Sequence, residues 1–357
     1  MAPVKIHDSI NHAINTFYLP EKLGFGHVMA PVMASCFYEN GTWGDLEILP
    51  YGPISMAPNA KVLHYAQEVF EGMKAYRVED RGPFIFRPEE NFLRLNRSAE
   101  RMAMPQIPRD IFMSSVLEVT GLCAKFVPRR TGESLYLRPF MFASEEALGI
   151  RPSDTFRYMV IASPSGSYFS GDVLSVLIER ESARAYPGGT GFAKTGGNYA
   201  ASLLSAVKAK KLGCAQTLWL DGREKKYIEE MSGMNFFAVI NNVLHTPKIS
   251  DTILDGITRK SIIVLAKDLG IKVVEEKIEI ENLIKLIKSG ECTEAFACGT
   301  AAIINCIDNL AEQNGERYQL KDPKGKIGSM LRSKLLAIQE GRDEDKYHWI
   351  TKVEPKS

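Results

Sequence analysis

"GGTGFAKTGGNY", residues 188–199, sets one lysine among five glycines in the middle of a 357-residue chain. A lysine so placed either grips a phosphate or forms a covalent bond. From Gly188 to Thr195 the stretch is one residue away from a phosphate-binding P-loop, which needs glycine where Ala193 stands. In a P-loop the helix begins at the lysine itself, and its first amides complete the phosphate cradle. Here Thr195, Gly196 and Gly197 follow Lys194, and two adjacent glycines are expected to resist helix at that point. The apolar 3.6-residue period starts only later, in "YAASLLSAVKAKKLG". Charges crowd the approach "LIERESARAY", where a P-loop has a buried parallel strand running into the turn. The covalent role is the stronger reading.

Composition narrows the classes of function. Hydrophobic residues make up 45% of the chain, ample for the cores of two domains. Lys plus Arg number 44 against 43 Asp plus Glu, a balance that argues against nucleic acid or an anionic membrane as partner. No apolar run approaches the roughly 18 residues of a membrane span. The opening "MAPVKIHDSINHAINTF" lacks the apolar stretch of a signal peptide. Cys36, Cys123, Cys214, Cys292, Cys298 and Cys306 form no CxxC and no paired His spacing, so neither a zinc site nor any other metal centre is expected. Buried free thiols in a reduced, cytoplasmic protein are the expectation.

Strand-like runs come early: "VMASCFY", "KAYRV" and "FIFRP", separated by the turns "ENG" and "EDRG". The helical patterns "ENFLRLNRSAERM" and "RDIFMSSVLEVTGLCAKFV" follow, then the strands "SLYLRPFMFAS" and "TFRYMVIASP". "SGSYFSGD" interrupts the pattern. This places a smaller α/β domain over 1–165, an interdomain loop over 166–175 and a larger domain over 176–357. In the second half "AQTLWLDG" with "KKYIEE", and "NFFAVI" with "VLHTP", read as hairpins. "GITRKSIIVLAKDLG" and "IENLIKLIKSG" read as helices, and "KVVEEKI" and "EAFACG" as strands. Both halves are mixed α/β, closer to α+β than to a regular βαβ alternation. A crevice between two such halves is the expected ligand site.

A lysine that bonds to a carbonyl cofactor must be poorly solvated and closely packed by backbone, which flanking glycines permit. The expected cofactor, pyridoxal 5′-phosphate, makes three further demands. Its phosphate needs a helix N-terminus or an arginine, its ring nitrogen an acidic partner, its phenolic oxygen a donor. Asp255-Gly256 before "ITRKSIIVLA" leaves the amides of Ile257 and Thr258 at a helix start, although an ordinary capped helix reads the same way. Arg94 shares helical spacing with Arg97 and Arg101, a row that is more often a solvated face. Glu229 and Glu230 end a hairpin strand, so alternation turns at most one inward, and surface positions suit both. Tyr199 can return a phenol toward a ring, or be an ordinary buried tyrosine.

Taken together, these segments resemble the branched-chain amino acid aminotransferases, members of the fold type IV, D-amino acid aminotransferase-like group of pyridoxal phosphate enzymes. "GGTGFAKTGGNY", "YIEEMSGMN", "GITR" and "CGTAA" occur in that family's order and spacing, as do "VFEGMKAYR", "NFLRLNRSA", "SLYLRP", "GSYFSG" and "LWLDG". The resemblance covers nearly the whole chain. It implies that Lys194 bonds the cofactor, that Tyr199 donates to the phenolic oxygen, and that Glu230 faces the ring nitrogen. It assigns Arg94, Ile257 and Thr258 to the phosphate, and the backbone amides of Thr300 and Ala301 to the substrate carboxylate. It places Phe25, Tyr65, Phe70, Tyr136, Arg138 and Tyr168 on the substrate side. It also implies a homodimer, with Tyr65 and the loop Leu148–Ile150 reaching into the partner's site.

The chemistry implied is reversible amino transfer between leucine, isoleucine or valine and 2-oxoglutarate. One pocket then holds an aliphatic side chain and, in turn, a glutamate carboxylate, for which Arg138 is a partner as readily as it is a strand salt bridge. Two departures from the family stand out. Gly233 replaces a threonine of a Gly-Thr-Met-Asn run, with Ser232 as the substitute hydroxyl. Asp255 replaces a proline, either capping the helix or turning away from the phosphate. Ala302 and Asn305 stand where some members carry a redox CxxC. D-amino acid aminotransferases and aminodeoxychorismate lyases share the lysine and glutamate but are shorter. A P-loop phosphotransferase is the alternative from another class, with "TLWLDG" as its only metal-binding candidate.

Overall fold

The computed structural model describes residues 2–79, 81–166 and 173–356. The chain forms two compact units, Met1–Tyr168 with Ala193–Gly196 and Ala337–Ser357, and Phe169–Phe192 with Gly197–Leu336. Of the loop expected at 166–175, residues 167–172 lie outside the described residues. The expected boundary sent everything after 176 to the second domain. Two later segments instead join the first unit, and one of them carries Lys194.

In the first unit ten strands form one sheet among the described residues. Its longest pairing joins Ser134–Ala143 and Phe156–Ser165, in antiparallel register from Ser134↔Ser165 to Ala143↔Phe156. Val32–Glu39 pairs on the far side of Phe156–Ser165, and Met73–Val78 on the far side of Ser134–Ala143. Alternation sends Leu135, Leu137, Met141, Tyr158 and Val160 to the core, where they meet Phe112, Val116 and Val119 of the helix Arg109–Leu122. Each such side chain, fully buried, stabilises by roughly 1.5–3 kcal/mol. The helix Pro88–Arg101 has proline in its first turn with Glu89 and Glu90, and Arg101 in its last, which suits its dipole. Glu68–Phe70 pairs with Ser134–Ala143, which sets Phe70 opposite Phe140.

In the second unit another ten-stranded sheet is present among the described residues. The hairpin Asn235–Ile240/Val243–Pro247 turns through Asn241 and Asn242, both left-handed at φ 49° and 63°. Gln216–Leu220 and Tyr227–Met231 form the other hairpin. Its turn is held by Asp221, whose carboxylate accepts the N–H groups of Arg223, Glu224, Lys226 and Tyr227. Ile280, Leu283, Ile284 and Ile287 bury one face of the helix Ile280–Ser289, which Gly290 closes at φ 81°.

Two expectations around Lys194 are corrected. Val173–Glu179 is a buried parallel strand between Gln216–Leu220 and Ile303–Ala311; it ends on the buried Glu179, and the other charges follow it. Gly196 and Gly197 do not prevent helix: Gly196–Ala200 is a short helical segment, followed by Leu203–Lys211. The helix starts two residues past the lysine, not at it. All six cysteines are buried and free, and among the described residues no helix is long and apolar enough to cross a membrane.

The glycines around Lys194 are not equivalent. A Cβ on Gly191 would lie 2.6 Å from Cβ of Ala185 and 2.7 Å from Cα of Thr252, whereas one on Gly197 meets nothing within 4 Å. Gly191→Ala should therefore destabilise by about 1–3 kcal/mol through overpacking. Gly197→Ala should be neutral or stabilise by up to about 1 kcal/mol. Denaturant midpoints of the two variants test this, and the reverse ranking would contradict the packing argument.

Candidate active site

In the first unit Lys194 is half-buried and its backbone is tied down on both sides. Its N–H donates to Oγ of Ser98 at 2.9 Å, and its carbonyl accepts the N–H of Phe70 at 3.0 Å. Its Nζ lies 4.9 Å from the ring centroid of Phe70. Nearby, Glu71 is fully buried and takes both edges of a fork from Arg94, Nε to Oε1 at 2.7 Å and Nη2 to Oε2 at 2.8 Å. Asn91 donates to the same Oε2 at 2.7 Å and Gly72 N–H at 3.1 Å. Burial pushes the Glu71 carboxyl up. The charges of Arg94 and Lys194 and the hydrogen bonds from Arg94 and Asn91 outweigh it, leaving the group below its ordinary range.

Helical spacing produces this arrangement. Asn91, Arg94 and Ser98 lie one turn apart on the inner face of Pro88–Arg101, while Arg97 and Arg101 are exposed. The row of arginines is thus not one solvated face, because Arg94 leaves it. Glu71 lies within "VFEGMKAYR" and belongs to this cluster although no sequence motif singles it out. A carboxylate in an apolar run, within reach of a helix carrying asparagine and arginine at i and i+3, was the available signal.

The expected substrate side also assembles within this unit. Phe25 packs edge-on against Tyr136 with centroids 5.0 Å apart. The Arg138 guanidinium lies 4.7 Å over Phe70 and 5.4 Å from the Tyr136 ring, and its Nη2 donates to the Tyr136 hydroxyl at 3.2 Å. A side chain on Gly72 would run into that hydroxyl, so the glycine is needed for close approach. Tyr65 instead is exposed, donating its hydroxyl to the carbonyl of Leu148, and Leu148 and Ile150 are exposed as well. Tyr168 lies outside the described residues.

In the second unit Glu230 is buried and held from three directions. Arg184 Nη2 lies 2.8 Å from Oε1, Asn235 donates to Oε2 at 3.1 Å, and Leu254 N–H to Oε1 at 3.3 Å. Asn235 also donates to the carbonyl of Leu254 and occupies the space that a Cβ on Gly256 would take. Gly256 is the N-cap of the helix Ile257–Asp268, whose start carries no side-chain cap. Asp255 does not cap it, and lies 3.5 Å from Lys260 Nζ. Ser232 Oγ accepts the indole N–H of Trp219 at 3.1 Å. Gly233 leaves Tyr199 room, its absent Cβ falling 3.8 Å from that ring. Thr300 and Ala301 are half-buried in the turn after Cys292–Gly299, which ends at Ile303 with φ 65°. A β-branched residue rarely adopts that conformation, so this turn is strained.

Glu229 corrects the expectation of surface carboxylates. Glu229 is 7% exposed and Glu230 4%, because both faces of the hairpin strand are covered. Alternation holds, and Glu229 points away to accept the Thr252 hydroxyl. Burial pushes its carboxyl up to about 7, against the opposing effects of Thr252 and Arg184. The folded state thus keeps a proton that the unfolded chain has already lost. The resulting destabilisation is absent below the ordinary carboxyl range and grows as pH rises through about 7. Glu229→Gln should melt increasingly above the parent between about pH 5 and pH 8. A constant difference in melting temperature across that range would contradict this.

These features can be set beside known proteins. The family profile of class IV amino-transferases matches residues 68–307. A branched-chain-amino-acid aminotransferase of Mycolicibacterium smegmatis is 45% identical over 338 residues, 92% of each chain. A probable one of Staphylococcus epidermidis is 44% identical over 335 residues, 93% of each. The crystal structure of the Escherichia coli branched-chain amino acid aminotransferase superposes with a TM-score of 0.74 at 28% identity, covering 90% of this chain and all of that one. A further crystal structure, of an enzyme of the same name complexed with N-(5′-phosphopyridoxyl)-L-glutamate, gives 0.74 at 28% identity and covers 90% of this chain and 99% of that one. Together with the mixed α/β architecture, these matches place the chain in the class IV aminotransferase family, with the two-unit fold of its fold type IV members.

Proposed function

We infer that the chain is a branched-chain-amino-acid aminotransferase, exchanging amino groups between leucine, isoleucine or valine and 2-oxoglutarate. Within this family, the observation that carries the reading is the wall of Phe25, Phe70 and Tyr136 with the Arg138 cation set into it. An apolar wall suits a branched aliphatic side chain, and a guanidinium suits the distal carboxylate of glutamate.

The residues fit pyridoxal 5′-phosphate by their chemistry. A half-buried primary amine stands beside an aromatic ring and a buried arginine in one unit. A buried, fixed carboxylate and a helix start without a side-chain cap are in the other. Lys194 would hold the aldehyde carbon, and Arg94 with the amides of Ile257 and Thr258 the phosphate, helped by Ser232 at the glycine step of Gly233. Tyr199 would face the phenolic oxygen and Glu230 the ring nitrogen, and the Thr300 and Ala301 amides would take the substrate carboxylate. Bound there, the cofactor supplies a carbonyl carbon for amines and a ring that accepts electrons when the substrate Cα loses its proton.

Lys194 is the catalytic residue in this scheme. Its Nζ, once free, would take the proton from the substrate Cα and return it to the carbon that the cofactor supplies, on the other side of the nitrogen. The Phe70 ring covers one side of that amine. Glu230, oriented by Arg184 and Asn235, would hold a proton on the ring nitrogen, and a fixed carboxylate needs no reorganisation to do so. Tyr65, Leu148 and Ile150 present exposed apolar surface, which supports a homodimer in which they line the partner's site. Buried thiols suit a cytoplasmic location.

The purified protein should be yellow, and borohydride should remove the visible band and leave the cofactor on the peptide containing Lys194. Lys194→Ala should still bind pyridoxal phosphate and lose turnover, and retained transamination would remove the lysine from the scheme. Glu230→Gln should slow the chemical step by orders of magnitude, since a neutral amide no longer favours a protonated ring nitrogen. Single-turnover absorbance with leucine measures that step, and an unchanged rate would exclude the role given to Glu230.

A further inference from the structure

A lysine with only 1% of its surface exposed, Lys61, opens the short helix Lys61–Tyr65 of the first unit. A buried ammonium is costly unless it is paired and hydrogen-bonded. One loop meets both needs. Lys61 Nζ lies 3.0 Å from Oε2 of Glu145 and donates to the carbonyls of Arg151 at 3.2 Å and Pro152 at 3.4 Å. Its backbone N–H donates to the Glu145 carbonyl at 3.0 Å, and the preceding Ala60 bridges Glu146. The far end of the helix reaches the middle of the same loop, where the Tyr65 hydroxyl donates to the carbonyl of Leu148. Between these ties Leu63, Tyr65, Leu148 and Ile150 stand exposed.

Arg151 pairs with Glu145 and closes the loop on itself, but that pair does not hold the loop to anything else. Lys61 does, at both ends of residues 145–152. Apolar side chains on an unanchored loop bind weakly, because docking must first order the backbone beneath them. We propose that Lys61 is a positioning residue for substrate binding: it anchors both ends of this loop to the helix that carries Tyr65, so that Tyr65, Leu148 and Ile150 form one preordered apolar surface for the aliphatic side chain of a substrate in the partner subunit's site. The proposal rests on the homodimer reading, in which these three residues line that site.

Lys61→Met is the test, since methionine keeps much of the apolar stem and removes the donors. Glu145 is not stranded in the variant, because both Nη atoms of Arg151 and the N–H of Asp154 still meet it. Arg151 and Pro152 are exposed, so water can replace the lysine at their carbonyls. Steady-state kinetics on the holoenzyme should show KM for leucine raised about tenfold, with kcat changed less than about twofold. A loss in kcat with KM unchanged would overturn the proposal.

Mixed dimers with the inactive Lys194→Ala chain assign the effect to a subunit. When Lys61→Met chains pair with Lys194→Ala chains, the one working site borrows its loop from a chain that keeps Lys61, and KM should be parental. When parent chains pair with Lys61→Met/Lys194→Ala chains, the working site borrows the unanchored loop, and KM should rise about tenfold. A substitution that merely weakens its own subunit gives the reverse pattern, and that pattern would overturn the proposal. Ile150→Ala probes the reading beneath it. A raised KM in the same crossed pattern supports the homodimer reading. An unchanged KM, or a monomeric parent in sedimentation, would remove that reading and the Lys61 proposal with it.

Discussion

A carboxylate with no exposed surface, Glu71, is the constraint on which the first unit turns. Water cannot reach it, so every lone pair must be met by the protein, and a missing partner would cost several kcal/mol. Arg94 meets it with a fork, Asn91 with an amide and Gly72 with its backbone. These contacts fix the helix Pro88–Arg101 against the connection between two strands. The same helix face then offers Ser98 to the backbone of Lys194. The pair also means that Arg94 arrives already compensated. It can offer a phosphate oriented donors, while its net attraction for an anion is smaller than that of a lone guanidinium.

The second unit repeats the device with different residues. Glu230 is pinned by Arg184, Asn235 and a backbone amide, and Asn235 reaches it only because Gly256 has no side chain. In both units an ion pair is assembled inside the protein before any ligand is considered. Dipoles and charges fixed in this way act on a reacting group without first having to reorganise. Glu229, one residue from Glu230, shows what happens to a neighbour left outside the arrangement. Its carboxyl rises to about 7, with burial as the main cause.

Much of the fold could be read from local pattern. The 3.6-residue periodicity of Ile280–Ser289, the asparagine turn at 241–242 and the long strands at 134–143 and 156–165 all rest on short-range rules, and these formed as expected. What failed depended on tertiary context. Glycine resists helix in isolation, yet Gly196 and Gly197 are helical in a segment whose first N–H is taken by Glu68. The strand Val173–Glu179 was hidden because it ends on a glutamate and further charges follow it. Of the candidate site, Lys194, Arg138, Phe25, Phe70 and Tyr136 were named from their wording, and the structure brings these five together. Glu71 and Arg184 were not named, because burial and pairing partners are long-range facts that a single carboxylate or guanidinium does not announce.

The six buried cysteines have a practical side. Burial pushes the thiols up, that of Cys36 to about 11 and those of Cys123 and Cys292 to about 12, so almost none is present as the reactive thiolate near neutral pH. Alkylating reagents should therefore ignore the native fold and report only on openings that expose its interior. Cys36 and Cys123 lie in the first core, and Cys292 in the second. Mass spectrometry of timed labelling could then follow the unfolding of each unit separately, using probes the protein already carries.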